Sequence, residues 1–344
     1  MAMTKKQKNI TAICAIAVVA VIAALFMYNS LFGHQFDIKE KAYIYIDDDD
    51  NIDSLNAKIE EAGKPSNLVG FKLMASIYNI DKKIKPGRYS IEPGNNAVDM
   101  VRKIRNHSQD PVNLVIPSVR TVDDLAGRLS RYLLLDSATI SKALHDEEVC
   151  EKYGYNTQNI SCMFIPNTYQ VYWNISMDNL LDRMKKESES FWNEERREKA
   201  KNTGLSQNEV ITLASIVDEE TANNGEKSRI AGLYMNRLKA GMPLQSDPTV
   251  KFALGDFSLR RIMHGHLNTD SPYNTYNNAG LPPGPIRIPS IAGIDAVLNY
   301  EHHNFMYMCA KEDFSGTHNF AVTYDQHLTF AKKYADALNA RGIK

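Results

Sequence analysis

GLSQNEVITLASIVDEETAN, residues Gly204–Asn223, carries the clearest helix signals in the chain and its most informative acid. Ser206 followed three residues later by Glu209 is a capping box, which satisfies orphan backbone N–H groups and starts a helix. Val210, Leu213, Ala214 and Val217 then recur at i, i+3, i+4 and i+7 and mark one buried face. Three residues further, the same stripe arrives at Glu220. The two neighbouring acids point elsewhere: Glu219 continues the line through Thr212 and Ser215 toward solvent, and Asp218 follows Ile211 and Ser215 on a flank. A carboxyl at the end of a core stripe is partly desolvated. Burial disfavours its charged form, so Glu220 is expected to remain a proton donor near neutral pH. Periodicity alone also accommodates a stripe that stops at Val217 and leaves Glu220 as a solvated last-turn acid.

Outward from that helix, the whole chain sets bounds. Its 344 residues are 43% apolar and 24% charged, enough for one large or two modest domains with real cores. A net charge of -1 gives no global field that recommends nucleic acid as a partner. No Gly-rich phosphate loop, dinucleotide fingerprint or zinc-type Cys/His spacing appears, so no cofactor is expected. No metal is assigned to His264, His266, His302 or His303, which read as surface residues. Of the four cysteines, Cys14 lies in an apolar N-terminal run and Cys309 is remote. Cys150 and Cys162 are near neighbours that an oxidising compartment allows to pair, and buried unpaired thiols fit the sequence equally well.

The N-terminus reads as a membrane anchor. Residues 1–9 carry Lys5, Lys6 and Lys8, and 10–28 (ITAICAIAVVAVIAALFMY) follow without a charge. That run is long enough to cross a bilayer, and the preceding lysines keep the N-terminus cytoplasmic and send the rest outside. A cleaved signal peptide is the rival; the run is longer than a usual signal core and no clear small-x-small site follows it. From 37 to 109 a strand (KAYIYI), an acidic turn at Asp47–Asp50, paired helices and a strand over the KPGRYSI segment predict a small α+β module. The remainder, 110–344, reads as a larger mixed α+β domain, largely helical from Ser137 to Lys201. A second amphipathic helix over Lys227–Ala240 holds Tyr234-Met-Asn-Arg237. In LQSDPTV, Asp247 before Pro248 marks a turn and a helix start. Thr269–Pro289 is irregular and rich in proline and tyrosine, the composition of an ordered working loop.

LASIVDEET, YMNRL, LQSDPTV, SPYNTY, GLPPGPI, IPS and GTHNF, in this order and spacing, with KPGRYSI and FIPNTY upstream, resemble the endolytic murein transglycosylase family, the YceG-like proteins. The resemblance runs from the anchor to Val322. It implies a single-pass enzyme of the inner (cytoplasmic) membrane, with a LysM-like module and a catalytic domain on the extracytoplasmic side. It implies cleavage of nascent peptidoglycan glycan strands between N-acetylmuramic acid and N-acetylglucosamine to leave 1,6-anhydromuramyl ends. It also implies a role in terminating glycan elongation, with peptidoglycan synthases as candidate partners. The family's essential acid is the second Glu of a Glu-x-Glu pattern, which falls on Glu220; Asp218 stands at the first position, and Asn167 stands where the family commonly has Asp.

The chemistry is consistent with one well-placed acid. Ordinary glycosidases need two carboxyl groups. In lytic cleavage Glu220 protonates the glycosidic oxygen and then serves as base toward the substrate's own C6 hydroxyl, whose tethering supplies a high effective molarity. Polar groups must still stabilise the developing charge or orient the sugar. Candidate substrate-binding residues are Gln245, Asp247, Tyr273, Asn274, Tyr276 and His318. Simpler roles compete for three of them: Asp247 as a helix cap, Asn274 as a loop staple and His318 as a filler of the groove. Gln245 in a loop is harder to explain by packing, and Tyr273 and Tyr276 are suited to stack on sugar faces. Two other functions compete, a hydrolytic muramidase with Asp218 or Asp247 activating water, and a catalytically silent glycan-binding scaffold.

Overall fold

The structure, a computed structural model, describes residues 4–259 and 261–342. It is a mixed α+β chain that divides into two units, Met1–Asn113 with Gln170–Ile175, and Leu114–Tyr169 with Ser176–Lys344.

The first unit opens with helix α1 (Lys5–Phe32), started by a capping box in which Thr4 and Gln7 exchange hydrogen bonds. Its most apolar window has a mean hydropathy of 2.9 and is wholly unburied, so by length and composition α1 is able to cross a membrane. At 28 residues it outruns the predicted span. Its last turn is gripped by the residues that follow. Ser30 is buried, and Gln35 donates from Nε2 to Asn29 O at 2.6 Å while its Oε1 accepts from Ser66 Oγ at 3.0 Å.

Beyond this joint, β1 (Ala42–Ile46) pairs antiparallel with the later strand β2 (Gly87–Ile91), Ala42 facing Ile91 and Ile46 facing Gly87. Alternation sends Ile44 and Ile46 into the core and leaves Tyr45 outside. Between the strands lie α2 (Ile52–Gly63), capped by Asn51, and α3 (Val69–Ile77). Gly70 of α3 is required by a close approach: a Cβ there would stand 1.9 Å from Ser30 O of α1. After β2, α4 (Ala97–Arg105) buries Met100, Val101 and Ile104 in the same core. The acidic run closes on itself as a turn, with Asp47 N donating to Asp50 Oδ2 at 2.8 Å and Lys58 bonded to both carboxylates.

The chain passes to the second unit in β3 (Val112–Val115), then builds α5 (Val122–Leu129), α6 (Ser137–Leu144) and α7 (Glu147–Lys152). It touches back in β4 (Thr168–Val171) before α8 (Met177–Phe191), α9 (Glu194–Thr203) and α10 (Gln207–Glu220). Then come α11 (Asn224–Lys239), α12 (Asp247–Leu254), α13 (Ile291–Leu298), the hairpin of β5 (Tyr307–Ala310) and β6 (His318–Ala321), and α14 (Tyr324–Ala340).

Helix α10 begins at the predicted capping box, with Ser206 N donating to Glu209 Oε2 at 2.7 Å. It differs from the expected one-faced helix, because every residue from Val210 to Val217 is buried. It is the central helix of this unit, packed against α11, α12 and α13, and a helix with a core all round is buried all round. Its two polar core residues are small. Ser215 Oγ donates to Thr212 O at 2.6 Å and accepts from Ile286 N at 3.0 Å, so the Ser215 hydroxyl needs no solvent. The cysteines are unpaired, with Cys150 and Cys162 buried.

Candidate active site

The C-terminal end of α10 carries three acids into three different surroundings. Asp218 turns into the protein, forming a buried ion pair with Lys227 Nζ at 2.7 Å. It also accepts from Ser290 N at 2.5 Å and Ser290 Oγ at 3.1 Å. It thereby clamps the start of α13, where a Cβ on Gly293 would stand 2.5 Å from its carboxylate. Glu219, expected to face solvent, is instead held by two arginines. Arg120 donates to it from Nε and Nη2, each at 2.9 Å, and Arg287 from Nη1 at 3.1 Å. The reason is the all-round burial of α10: the line through Thr212 and Ser215 leads under the 286–288 segment and not into water.

Glu220 alone lines a cavity of 290 Å³. Its Oε1 accepts from Tyr234 Oη at 2.6 Å and from Ser246 Oγ at 2.5 Å. Desolvation pushes its carboxyl above the usual range, and the negative charge of Asp247 adds to that; the two hydroxyl donors oppose it. Both hydroxyls reach Oε1, so Oε2 is the carboxyl oxygen that neither of them occupies.

Besides Glu220 and Tyr276, three segments build the cavity. Tyr234 and Arg237 of α11 form one side. Met308, Cys309, Ala310 and His318 of the β5–β6 hairpin form another. The third is the turn Leu244–Asp247. Gln245 has a left-handed backbone (φ 52), uncommon for a residue with a Cβ, and is held there by its N–H donating to Thr275 O at 3.0 Å. Ser246 N donates to Thr275 Oγ1 at 3.0 Å, and Thr249 Oγ1 donates to Ser246 O at 2.7 Å. Ser246, buried, is therefore fixed from both sides before it reaches Glu220. Arg237, also in the wall, spends its guanidinium on Met306 O, Leu244 O and Gln245 Oε1.

Of the predicted substrate-binding residues, Gln245, Asp247, Tyr276 and His318 line the cavity with Glu220. Asp247 does not cap a helix: Ser246 holds the N-cap position, Asp247 is the first residue of α12, and its Oδ1 accepts from Tyr276 Oη at 2.6 Å. His318 is oriented by Glu226, which takes its backbone N–H at 3.0 Å and approaches Nδ1 at 3.3 Å. Tyr273 and Asn274 are not brought to this cavity. Asn274 is fully buried and donates to Leu267 O and Thr269 O, both at 2.9 Å, stapling its loop as the polar-turn reading allows. Tyr273 packs on Phe252 with ring centroids 4.7 Å apart. Tyr234, Ser246, Arg237 and Glu226 were missed. The available signal was positional, since Ser246 lies between two candidates already chosen and Tyr234 opens the YMNRL block.

The sequence as a whole then decides the family, for the YceG-like family matches residues 44–333. The chain belongs to the YceG-like family. A protein of Bacillus subtilis named endolytic murein transglycosylase is 34% identical over 166 residues, 48% of this chain and 45% of that protein. One of the same name from Streptococcus pneumoniae D39 is 26% identical over 334 residues, 84% of this chain and 60% of that protein. The chain thus spans about half the length of the curated relatives it matches. The crystal structure of a putative yceG-like protein from Listeria monocytogenes superposes with a TM-score of 0.56 at 27% identity, covering 85% of this chain and 99% of that one.

Proposed function

We propose that this chain is a single-pass, membrane-anchored endolytic murein transglycosylase. It cuts glycan strands between N-acetylmuramic acid and N-acetylglucosamine and leaves 1,6-anhydromuramyl ends. One observation carries the reading: Glu220, a desolvated carboxyl whose pKa is pushed up, lines the cavity with its Oε1 fixed by Tyr234 and Ser246. The proton on Oε2 goes to the glycosidic oxygen, and the bond to C1 of the muramoyl sugar breaks. The resulting carboxylate gains the two hydroxyl bonds at full strength, which lowers the barrier to proton loss. It then removes the proton of the sugar's own C6 hydroxyl as that oxygen closes on C1, so no water enters the product. Asp247 lies in the same cavity, where its charge is suited to stabilise the oxocarbenium-like centre while Tyr276 fixes it. The same position makes Asp247 the water-activating residue of the competing muramidase reading, from which Asp218 is removed by its pairing with Lys227.

The anchor, the cytoplasmic N-terminus, the extracytoplasmic catalytic unit and action on nascent strands beside peptidoglycan synthases belong to the same proposal. They are supported by the apolar α1 and by the names of the relatives. The test is mass spectrometry of glycan products from the full chain in detergent with uncrosslinked peptidoglycan, beside Glu220→Gln. Internal cuts with anhydromuramyl ends, lost in the variant, are expected. Reducing ends select the muramidase with Asp247; no cleavage by folded wild type overturns both.

A further inference from the structure

Glu219 opens onto a second cavity, of 300 Å³, that Glu220 does not line. A smaller one of 60 Å³ adjoins it, sharing Arg120, Glu219 and Phe257 and adding Lys251 and Pro248. Together they form one cleft faced by Arg120, Arg128, Arg287 and Lys251, against the two acids Glu219 and Asp124. The cleft is built, not a chance cluster of solvated side chains. Ile288 N donates to Val119 O at 2.8 Å, and Ser118 Oγ bonds Ile288 O and receives Arg287 Nη2 at 2.8 Å. These bonds tie the 118–120 and 286–288 segments together and hold both guanidiniums in place. Arg120 also lies over the Phe257 ring, 4.9 Å from its centroid. Of five N–H donors on each guanidinium, Glu219 and Ser118 take only some. Among the described residues, Arg128 and Lys251 have no carboxylate partner within ion-pair distance.

The position of the cleft gives it a ligand. Glu219 and Glu220 are consecutive, and so are Asp247 and Pro248, so the main chain separates this cleft from the Glu220 cavity by one residue at two places. A glycan strand seated at Glu220 carries, on each muramic acid, a lactyl-linked peptide with free carboxylates. We propose that the arginine cleft is a subsite for a carboxylate of that peptide stem, so the enzyme reads peptide-bearing strands and not bare glycan; this rests on the murein reading above. Guanidiniums match carboxylates with paired N–H donors, and Arg120 and Arg287 keep donors that Glu219 does not take.

The test uses the full chain in detergent carrying Glu220→Gln, so that nothing turns over. Calorimetry compares a disaccharide peptide with free carboxylates and the same compound with every carboxylate amidated. The free acid is expected to bind about 10–100-fold tighter, the worth of one charge-assisted contact. Arg128→Ala with Lys251→Ala should remove that preference and leave the amidated compound's affinity unchanged. Glu219→Gln, which removes the competing internal carboxylate, should tighten the free acid further. Equal binding of the two compounds, or an equal loss of both in the double variant, overturns the subsite. Failure of the parent reading is seen separately, as wild type that does not shorten strands with or without peptides.

Discussion

Two cavities meet at the end of α10, and they treat neighbouring carboxyls in opposite ways. Glu219 sits between two guanidiniums in an ion pair. Glu220, one residue on, receives two hydroxyls and, among the described residues, no cation, although Arg237 lines its cavity. The difference is how the arginines are used. Arg237 is consumed by backbone carbonyls and Gln245, so its charge is spent on loop shape. Arg120 and Arg287 are turned onto the carboxylate. A helix terminus can thus hold one acid in an ion pair and the next among hydroxyls, provided each has its own wall.

The sharpest way to break that contrast is Glu220→Gln. Strand cleavage should fall by about 10²–10⁴-fold or more, the usual worth of a positioned acid, as followed by release of anhydromuramyl products. The fold should stay intact. Glu220 has a folded pKa above its unfolded value, so its ionisation costs stability as pH rises above that unfolded value. The glutamine variant should therefore melt at least as high as wild type at neutral pH, and higher as the buffer becomes more basic. A lower melting temperature across that range would contradict a desolvated neutral acid.

Asp218→Ala comes next and acts on the fold rather than on the chemistry. Leaving Lys227 buried without its partner costs about 3–5 kcal/mol, read as a loss in chemical denaturation. The specific activity of the folded fraction should stay within tenfold of wild type. An activity loss as large as that of Glu220→Gln, in protein shown to be folded, would return Asp218 to the catalytic centre.

A smaller effect is expected at Ser246. Its hydroxyl stabilises the charged form of Glu220, so Ser246→Ala should raise the carboxyl's pKa further and move the basic limb of the activity profile to higher pH. Proton donation should slow by about tenfold, for a lost bond to a charged group. Asp247→Asn removes a negative charge that holds the Glu220 pKa up, so the basic limb should move the other way, to lower pH. Opposite shifts on the two sides of one turn would sharpen the assignment. Shifts of the same sign would mean that the turn had moved.

How much of this was legible in the sequence depended on whether the signal was local. The capping box at Ser206, the alternation of KAYIYI and the apolar N-terminal run all became the elements they announced, because each rests on hydrogen bonds or burial within a few residues. Glu220 was singled out by periodicity and by the family motif together. The periodic reading of α10 was nevertheless incomplete: Thr212 and Ser215 look like a polar face, yet both are buried, and the Ser215 hydroxyl bonds within its own helix and to the Ile286 backbone, so it sits in the core at little cost. That misreading sent Glu219 to solvent and hid the arginine cleft. Arg120 and Arg287 lie 99 and 68 residues from Glu219, and no local pattern joins them. Asn274 and Tyr273 show the converse. A loop rich in polar and aromatic side chains advertises substrate contact, but its own backbone must be satisfied first, and Asn274 is used up doing so.

The joint at the end of α1 has a mechanical consequence. A helix followed by slack chain acts as a leash, and whatever it carries is free to spin. Here Ser30 is pressed against Gly70, and Gln35 ties Asn29 to Ser66. Turning α1 about its own axis therefore turns the β1–β2 module with it, as a key turns a lock. The large side chain that would jam this fitting is easily named: anything beyond glycine at position 70 forces the two helices apart and returns the key to a leash.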